Sequence, residues 1–471
     1  MSDLFRNMSD IFSVPPQPAW TKALRAFVKC RQKTPGRQGA PLRHALRQRI
    51  CRTRLCLARA FSYLCRQTAV QNGQLKNFDM STKFIAAILA LYAIAAAPLN
   101  AQDGGSATGH AGLPRTIETG PQGKFHVQGI AVDTEKGYIY FSFTTKLIKM
   151  DLAGNLIGSV DGMVGHLGCI TFNPDDGCVY GSLEYKNDDI GKGIRNQLAQ
   201  EGNNNGGNGN TTGFYAAVFD TDRITRPDMD AEKDKVMTTV FIKEAYDDHT
   251  AVTENNGRTL KHRLGCSGID GTTIAPGFGA EKKDKHIYLA YGVYDDTLRT
   301  DNDYQVLLAY DLDSLKHYAR PLTQGSLHRS GPQKPAHKYF VRTGNTSYGV
   351  QNLAYDRASG NFYMAVYKGR KKEFPNYSLF VADGSANPQK ERLQGFNPER
   401  EGEVIPLLKA GKRSKGIYGW DFNLGACGLC PLGDGYFYIA HNRKGKDGQQ
   451  SCTARLYKWT GNADNPFEPV K

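Results

Sequence analysis

Histidine, glutamine, arginine and aromatic residues stand directly before, or at the start of, several short apolar runs of the chain. The set comprises His126, Gln128, His166, Arg263, Tyr348, Gln351, Tyr418 and Trp420. Tyrosine and tryptophan rings stack on the apolar face of a sugar, while glutamine, arginine and histidine bind its hydroxyl or carboxylate groups. If the apolar runs converge in the fold, the set predicts a carbohydrate site. Taken singly, each aromatic residue is explained as well by core packing.

His126 is the strongest catalytic candidate of this set. A single histidine can act as an acid or a base near neutral pH, but it can also be a structural hydrogen-bonding residue. The pair Val127-Gln128 recurs as Val350-Gln351, whereas Gly349 replaces the histidine. The repeated backbone therefore does not require an imidazole, which weakens the structural explanation without removing it.

The chain around these residues repeats one β-rich unit. Its clearest copy, Lys124 to Val160, contains an apolar run, an acidic turn with glycine, and three further β-rich runs. Weaker copies begin at Gly168, Gly268, Val350 and Leu429. Such a sheet buries both faces only by stacking on copies of itself. We therefore predict an all-β propeller whose inner strands line a central channel.

Chain length sets the predicted number of blades. About 370 residues follow residue 101, and a blade takes roughly 40 to 50 residues. We predict a seven-bladed, single-domain propeller over residues 102–471, with no helix of useful length. Residues 102–123 would lead into the first blade or lend a closing strand to the last.

The positive charge of the chain is confined to its beginning. Residues 1–101 hold 16 Lys and Arg against 3 Asp, which leaves a net charge of +1 for the remainder. Basicity therefore gives no reason to expect nucleic acid as a partner of the folded part. We interpret residues 1–79 as a non-native or disordered upstream extension.

Residues 80–101 have the pattern of a secretory signal peptide. A charged start after Met80 precedes an apolar run from Phe84 to Ala97 and a small-residue cleavage site ending at Ala101. The apolar run is too short to span a bilayer. We expect an exported bacterial protein of the periplasm or cell surface, monomeric and with no membrane span once mature.

Six cysteines follow the predicted cleavage site. Cys427, Cys430 and Cys452, with Cys266 as a fourth ligand, could hold zinc, but a disulfide or buried thiols explain them more simply. Two acidic pairs could bind calcium or be solvated turns: Asp220 with Asp222, and Asp301 with Asp303. We expect no required cofactor and leave structural calcium or zinc open.

The span from Phe125 to Trp459 resembles a family of propeller enzymes of gut bacteria. The motifs are Phe-His-Val-Gln-Gly-Ile-Ala-Val-Asp133, Gly-His-Leu-Gly-Cys169, Ser-Leu-Glu-Tyr-Lys-Asn-Asp-Asp-Ile-Gly-Lys-Gly193 and Tyr-Gly-Val-Gln-Asn-Leu-Ala-Tyr-Asp356. They are similar to glycoside hydrolase family 145 and to the related ulvan lyases of polysaccharide lyase family 25. The resemblance implies a seven-bladed exo-α-L-rhamnosidase that releases rhamnose from glucuronic acid, as in arabinogalactan side chains. It also implies one catalytic histidine, which we match to His126.

The chemistry of an α-L-rhamnoside explains how one histidine could suffice. O2 and the leaving oxygen are axial on opposite ring faces, so O2, deprotonated by a neutral imidazole, could attack C1 from behind. Water would open the resulting 1,2-anhydro sugar with net retention. The neighbouring glucuronate carboxylate needs a cation, for which Arg263, Lys124 and Arg342 are candidates.

Two alternatives stay open. The first is a uronate or ulvan-type lyase, in which a tyrosine or histidine removes the C5 proton and a cation neutralises the carboxylate; His166, His249, Tyr246 and Arg263 are its candidates. The second is a glycan-binding propeller without catalysis. The released product distinguishes the three, because only a hydrolase gives free rhamnose and only a lyase gives an unsaturated uronate.

The interpretation of the first 101 residues gives a testable prediction. A chain that begins at Gln102 is expected to fold and keep full activity, since residues before it would be untranslated or cleaved. Intact-mass measurement of the exported protein checks this, and a mature terminus upstream of Met80 would contradict it.

Overall fold

Five sheets, each contributing one inner strand to a central channel, build this all-β propeller. The computed structural model describes residues 112–201, 211–279 and 284–471. The predicted extension 1–79 and signal peptide 80–101 lie outside these residues. Strands and helices are numbered in chain order, and the inner strands neighbour one another in the ring β2, β6, β13, β18, β25.

Blade 1 is the unit predicted most clearly from the sequence, and that prediction is confirmed. Its strands are β2 (Val127–Asp133), β3 (Tyr138–Phe143), β4 (Lys146–Asp151), β5 (Leu156–Asp161) and, parallel to β5, β9 (Met229–Asp230). The first turn forms because Asp133 Oδ1 accepts from the backbone amides of Glu135 and Lys136, each at 3.0 Å. Gly137 closes this turn with a φ of 73°.

Blades 2 and 3 are enlarged by strands from distant parts of the chain. Blade 2 contains β6 (His166–Asn173), β7 (Cys178–Tyr185), β8 (Gly213–Asp220), β10 (Met237–Phe241) and β16 (Arg320–Pro321). Blade 3 contains β13 (Cys266–Pro276), β14 (Lys285–Val293), β15 (Tyr304–Asp311), β17 (His337–Arg342), β22 (Glu401–Val404) and β21 (Gln389–Arg392).

Blades 4 and 5 complete the ring. Blade 4 contains β18 (Ser347–Asp356), β19 (Asn361–Tyr367) and β20 (Leu379–Ala382). Blade 5 contains β25 (Leu429–Gly433), β26 (Tyr436–Lys444), β27 (Gln450–Trp459), β28 (Phe467–Pro469) and β1 (Thr116–Glu118). Because β1 pairs with β27, the first described strand closes the last blade, one of the two roles predicted for residues 102–123.

Helices and hairpins lie between the blade strands. The helices are α1 (Asp189–Gln200), α2 (Lys243–Thr250) and α3 (Leu312–Lys316); the hairpins are β11 (Val252–Asn255) with β12 (Arg258–Lys261), and β23 (Lys412–Ser414) with β24 (Ile417–Gly419). The prediction of no useful helix was wrong for α1. Asp188 caps α1 by accepting from the Gly191 amide, and Ile194 and Leu198 form its buried stripe.

The prediction of seven blades was wrong, because the described residues form five. Their buried apolar side chains fall into five clusters, one at each seam between neighbouring blades. The added outer strands, helices and hairpins use the length that was assigned to two more blades. The five repeat copies found in the sequence do coincide with the five inner strands.

The closing strand gives a stability prediction. Ile117 of β1 is buried in the seam between blades 5 and 1, so Ile117→Ala is expected to lower the free energy of unfolding by about 2 to 4 kcal/mol. Thr116→Ala is the matched control, because Thr116 is an exposed residue of the same strand. Chemical denaturation measures both, and equal effects would contradict the closing role of Ile117.

Candidate functional site

The channel mouth, defined as the end at which the five inner strands begin, is shaped by β-bulges. Register shifts occur near the starts of four inner strands: β2, β6, β13 and β18. A bulge turns a strand locally and changes where its side chains point. The bulges therefore bring polar side chains of neighbouring blades together at the mouth.

Three polar side chains from three inner strands form the floor of the mouth. Gln128, Asp270 and Gln351 are each less than 9% exposed. Gln351 Nε2 donates to Asp270 Oδ2 at 2.8 Å, and Asn352 Nδ2 donates to the Gln128 carbonyl at 2.9 Å. The floor is thus held by hydrogen bonds between the strands of blades 1, 3 and 4.

A buried ion cluster lies beside the floor in blade 2. Lys186 Nζ is 2.5 Å from Glu184 Oε1 and 3.7 Å from Asp188 Oδ2. His166 Nδ1 lies 3.5 Å from Glu184 Oε1, within ion-pair distance but without the alignment of a hydrogen bond. A cavity of about 20 Å³, room for one water, adjoins His166, Glu184 and Lys186 beneath α1.

Glu184 also binds the neighbouring blade. Its Oε2 accepts from the Ile269 amide at 3.1 Å, an amide freed by the bulge of β13. Gly268 has a φ of 146°, and a Cβ there would lie 2.0 Å from Glu184 Oε2. Glycine is therefore required at 268 for this carboxylate to reach the strand.

The ionisable groups of this cluster change one another's pKa values. Burial by itself raises the pKa of Glu184 and lowers that of Lys186. The attraction of all charged neighbours together outweighs burial, so the pKa of Glu184 is lowered by Lys186 and His166, and that of Lys186 is raised by Glu184, Asp188 and Asp270. Burial likewise opposes the charged form of His166, yet Glu184 and Asp270 raise its pKa above 6.5. For Asp270, burial and the nearby Glu184 charge raise the pKa to about 7.

His126 lies directly before β2 and is half-buried at the mouth. Its Nε2 is 3.2 Å from Gln128 Nε2, which also donates to Thr144 Oγ1 at 3.0 Å. Burial, followed by the positive charge of His166, lowers the pKa of His126 below 6.5. The structure therefore places His126 and His166 close enough to influence each other and keeps the first neutral at pH 7.

A second group of rings lies between α2 and blade 3. His249 and His262 have ring centroids 4.5 Å apart, and Tyr294 lies 4.8 Å from His262. The Tyr294 hydroxyl donates to Asp188 Oδ2 at 2.9 Å, which connects this group to the ion cluster. Burial and the His262 charge lower the pKa of His249 to about 4.

Tyr348 is the aromatic residue that the structure presents at the mouth. It is 52% exposed, and its ring packs edge-on against Tyr367 at 6.1 Å. Its φ of 65° is unusual for a bulky residue, and its carbonyl accepts from Gln351 at 3.0 Å. Of the predicted site residues, His126, Gln128, His166 and Tyr348 therefore meet at one mouth.

Trp420 and Arg342 lie away from the mouth, whereas Arg263 directly precedes inner strand β13 and is held by an ion pair. Trp420 is fully buried and packs on Trp459 at 5.2 Å in the seam of blades 4 and 5, so it cannot stack on a sugar there. Arg342 lies on β17, far out in blade 3, over the Phe374 ring. Arg263 donates to the buried Asp248 at 2.6 Å but keeps its side chain 37% exposed.

The remaining nominated residues are also held by neighbours. Tyr246 lies beneath Arg329 at 4.3 Å, and Tyr418 is beside Arg413 in a hairpin. Lys124 Nζ donates to the Asp447 carbonyl at 2.6 Å. Each of these three residues is therefore engaged by another protein group.

The possible metal ligands do not converge. Cys266 is buried between blades 2 and 3, whereas Cys427, Cys430 and Cys452 belong to blade 5, and all four are free thiols. Across the described ranges, no group of three or more His, Cys, Asp or Glu side chains could hold a metal ion.

The acidic pairs considered for calcium have protein partners instead. Asp222 pairs with Lys136 at 2.5 Å, Asp301 with Arg299 at 2.6 Å, and Asp303 with Lys371. Asp220 accepts from the Asp222 amide at the start of a short helical turn. The side chains of both acidic pairs therefore form ion pairs and hydrogen bonds with the protein itself.

Glu184, Lys186 and Asp270 lie at the site but were not predicted from the sequence. Glu184 and Lys186 are two apart near the end of an apolar strand, a spacing that puts both on one face. Asp270 stands between Gly268 and Gly271 in the middle of an inner strand. The pattern that could have indicated them is a charged residue within a strand whose other residues are typical of a buried strand.

Comparisons with known proteins leave the family open. No protein-family model and no curated protein matches the chain. Similar solved structures include the PQQ domain of pyranose dehydrogenase from Coprinopsis cinerea. It is 13% identical, the match covers 69% of this chain and 81% of that chain, and the TM-score is 0.30. The GH43_1 enzyme from Xanthomonas citri complexed with xylose is 11% identical, the match covers 76% of this chain and 94% of that chain, and the TM-score is 0.33. The calcium structure of the Trichoderma reesei family AA12 enzyme has 10% identity, coverages of 69% and 80%, and a TM-score of 0.33.

Similarities at this level carry no conclusion about function. The five-bladed fold rests on the strand pairing and seams of the chain itself. In the part of the chain that the structure describes, no helix is long and apolar enough to cross a membrane.

The raised pKa of Asp270 gives a pH prediction for stability. The folded carboxyl keeps its proton up to a pH of about 7, whereas the unfolded one loses it near 3.8, so stability falls as pH rises between these values. Asp270→Asn cannot ionise and can still accept from Gln351. Its stability relative to wild type is therefore expected to increase between pH 5 and pH 8 by about 2 kcal/mol. Urea denaturation at both pH values measures this, and a pH-independent difference would contradict it.

Proposed function

We propose that the protein is an exported glycoside hydrolase that releases α-L-rhamnose from linkages to glucuronic acid, with its active site at the channel mouth. The observation that carries the proposal is His126, a half-buried imidazole kept neutral by burial and by His166. A neutral imidazole at the mouth is the base that attack by O2 of the sugar requires. The periplasm or cell surface is the proposed location.

The surroundings of His126 support a sugar as the ligand. Tyr348 offers an exposed ring for stacking, and Gln128 and Gln351 are amides of the kind that bind sugar hydroxyls. Among the candidates for the glucuronate carboxylate, Arg263 is favoured because it precedes inner strand β13. Only its Nη1 has a protein partner within the described residues.

The resemblance supports the same reaction through its motifs at the mouth, not through the number of blades. His126, Gln128, His166 and the segment from Ser182 to Gly193 all contribute to the mouth or to the ion cluster beside it. The seven blades that the resemblance implies differ from the five of this chain. The proposal therefore rests on the local arrangement of residues.

The lyase alternative is less well supported by the geometry. Tyr246 packs under Arg329, and Arg263 binds Asp248. His249 is neutral, but its Nδ1 is 3.1 Å from the Cys266 carbonyl and its ring packs against Phe214 and His262. Three of the four lyase candidates are thus engaged by other protein groups.

His126→Ala tests the proposal. We expect turnover of a rhamnosyl-glucuronate oligosaccharide, such as those from gum arabic, to fall by roughly 10²- to 10⁴-fold, the usual loss for a removed general base. Stability should change by less than about 1 kcal/mol, because the side chain is half-buried at a surface. Released rhamnose and a thermal melt measure the two effects.

His286→Ala is the matched control. His286 is partly buried and also has a pKa lowered by burial, but it lies at the far end of blade 3 from the mouth. Persistent rhamnose release by His126→Ala would contradict the proposal. So would an unsaturated uronate product from wild type, which indicates a lyase.

A further inference from the structure

We propose that Asp270 is a second catalytic residue of this site, the acid that protonates the leaving oxygen while His126 acts on O2 of the sugar. The inference rests on the proposed function and extends it from one proton-transfer residue to two.

The two groups belong to blades that are not neighbours in the ring. His126 precedes β2 of blade 1 and Asp270 belongs to β13 of blade 3, and these inner strands are not neighbours in the five-membered ring. In an α-L-rhamnoside, O2 and the leaving oxygen are axial on opposite ring faces. A sugar between blades 1 and 3 could therefore present one oxygen to each residue.

The Asp270 carboxylate has one oxygen anchored and one available. Oδ2 accepts from Gln351 Nε2 at 2.8 Å, whereas Oδ1 has no hydrogen bond to the described residues. Glycine at 168 lets Oδ1 lie close to β6, since an added Cβ there would be 2.3 Å from this oxygen. Oδ1 is not among the buried side-chain atoms without a partner in the described residues. Asp270 is 8% exposed, so the carboxylate is held in place while reaching the floor of the mouth.

Titratable groups face Asp270 from every neighbouring blade element, and burial leaves part of its population protonated at neutral pH. These groups are His166 on β6, Glu184 on β7, Lys186 after β7, Tyr367 on β19 and Cys427 before β25. Burial raises the pKa of Asp270 most, and His166, Lys186 and the Gln351 hydrogen bond moderate the shift to about 7. An acid with a pKa near the working pH is suited to proton transfer.

The two groups give a balanced reaction. His126 takes the proton of O2, O2 forms a bond to C1, the bond from C1 to the leaving oxygen breaks, and Asp270 gives its proton to that oxygen. Water then adds to C1 of the 1,2-anhydro sugar and gives a proton to the Asp270 carboxylate. The bond from C1 to O2 breaks, and His126 returns its proton to O2. Both side chains end in their starting states, and one water is consumed.

Dependence on the leaving group distinguishes this role from a structural one. 4-Nitrophenyl α-L-rhamnoside releases a stable phenolate that needs no proton, whereas a sugar leaving group needs one. Asp270→Asn is expected to lower kcat/KM, which reports the step in which the leaving group departs, by roughly 10²- to 10⁴-fold on the rhamnosyl-glucuronate substrate but by less than about tenfold on the nitrophenyl substrate. A structural defect would lower kcat/KM on both substrates equally.

The pH dependence of activity is a second measurement, and Gln351→Met is a second variant. Activity should fall as pH rises through the pKa of Asp270, because the acid loses its proton. Gln351→Met removes a hydrogen bond that lowers this pKa, so the alkaline limb should move to higher pH. Asp356→Asn is the matched control, since Asp356 is a buried carboxylate at the far end of inner strand β18 that caps a turn.

The outcomes separate the two proposals. If wild type cleaves neither substrate, the proposed function fails and the role of Asp270 fails with it. If wild type cleaves both and Asp270→Asn lowers kcat/KM on both equally, or if Gln351→Met leaves the alkaline limb in place, only the assignment of Asp270 is overturned.

Discussion

The mouth of this propeller depends on one buried carboxylate, Glu184. One of its oxygens binds Lys186 and the other accepts the Ile269 amide that a β-bulge has freed. Removing Lys186 would leave the charge of Glu184 without its partner, which costs several kcal/mol. Removing Glu184 would leave the Ile269 amide without an acceptor, which costs about 1 to 3 kcal/mol. The positions of β7, the bulge of β13 and the start of α1 are thereby linked, because Asp188 both approaches Lys186 and caps α1.

Below the mouth, the narrow five-membered ring is filled by hydrogen bonds between inner elements. Asn352 donates to the carbonyls of Gln128 and Ala426, and Ser182 donates to the carbonyl of Asp270. Ser142 makes the same kind of bond to Gly168 at 2.7 Å. Because these bonds occupy side chains that would otherwise face an open channel, the groups available for chemistry are concentrated at the mouth.

How far the sequence predicts this structure depends on the range of the interactions involved. The repeat unit is local, so a turn such as that at Asp133 and Gly137 identifies each inner strand and the propeller itself. The number of blades depends on where distant segments add as outer strands, as β9, β16 and β21 do, and no local pattern contains that information. The five repeats predict the number of blades correctly, because each repeat marks one inner strand. The chain length divided by the length of a blade overestimates it, because the length also includes helices and hairpins.

The same distinction explains the candidate site. His126, Gln128, His166 and Tyr348 were found because each precedes or begins an inner strand. Trp420 was misplaced because the segment before β25 forms a bridge to Leu379 of blade 4 before the inner strand starts. Asp270 and Glu184 derive their properties from contacts between blades, which only the assembled ring specifies. A charged residue within a buried strand still indicates a nearby partner, since burying an unpaired charge costs too much free energy.

Three histidines near the mouth show how the surroundings decide which imidazole is available. His166 is held near two carboxylates that favour its charged form. His249 is neutral, but its Nδ1 is near the Cys266 carbonyl and its ring is packed between other rings. His126 is neutral too, yet it contacts only the amide of Gln128 among the polar side chains of the described chain. Burial lowers the pKa of His126 most and positive charge on His166 lowers it further, so the ion cluster of blade 2 contributes to the protonation state of a residue in blade 1. Buried charges that stabilise the strands thus also prepare a base at the surface.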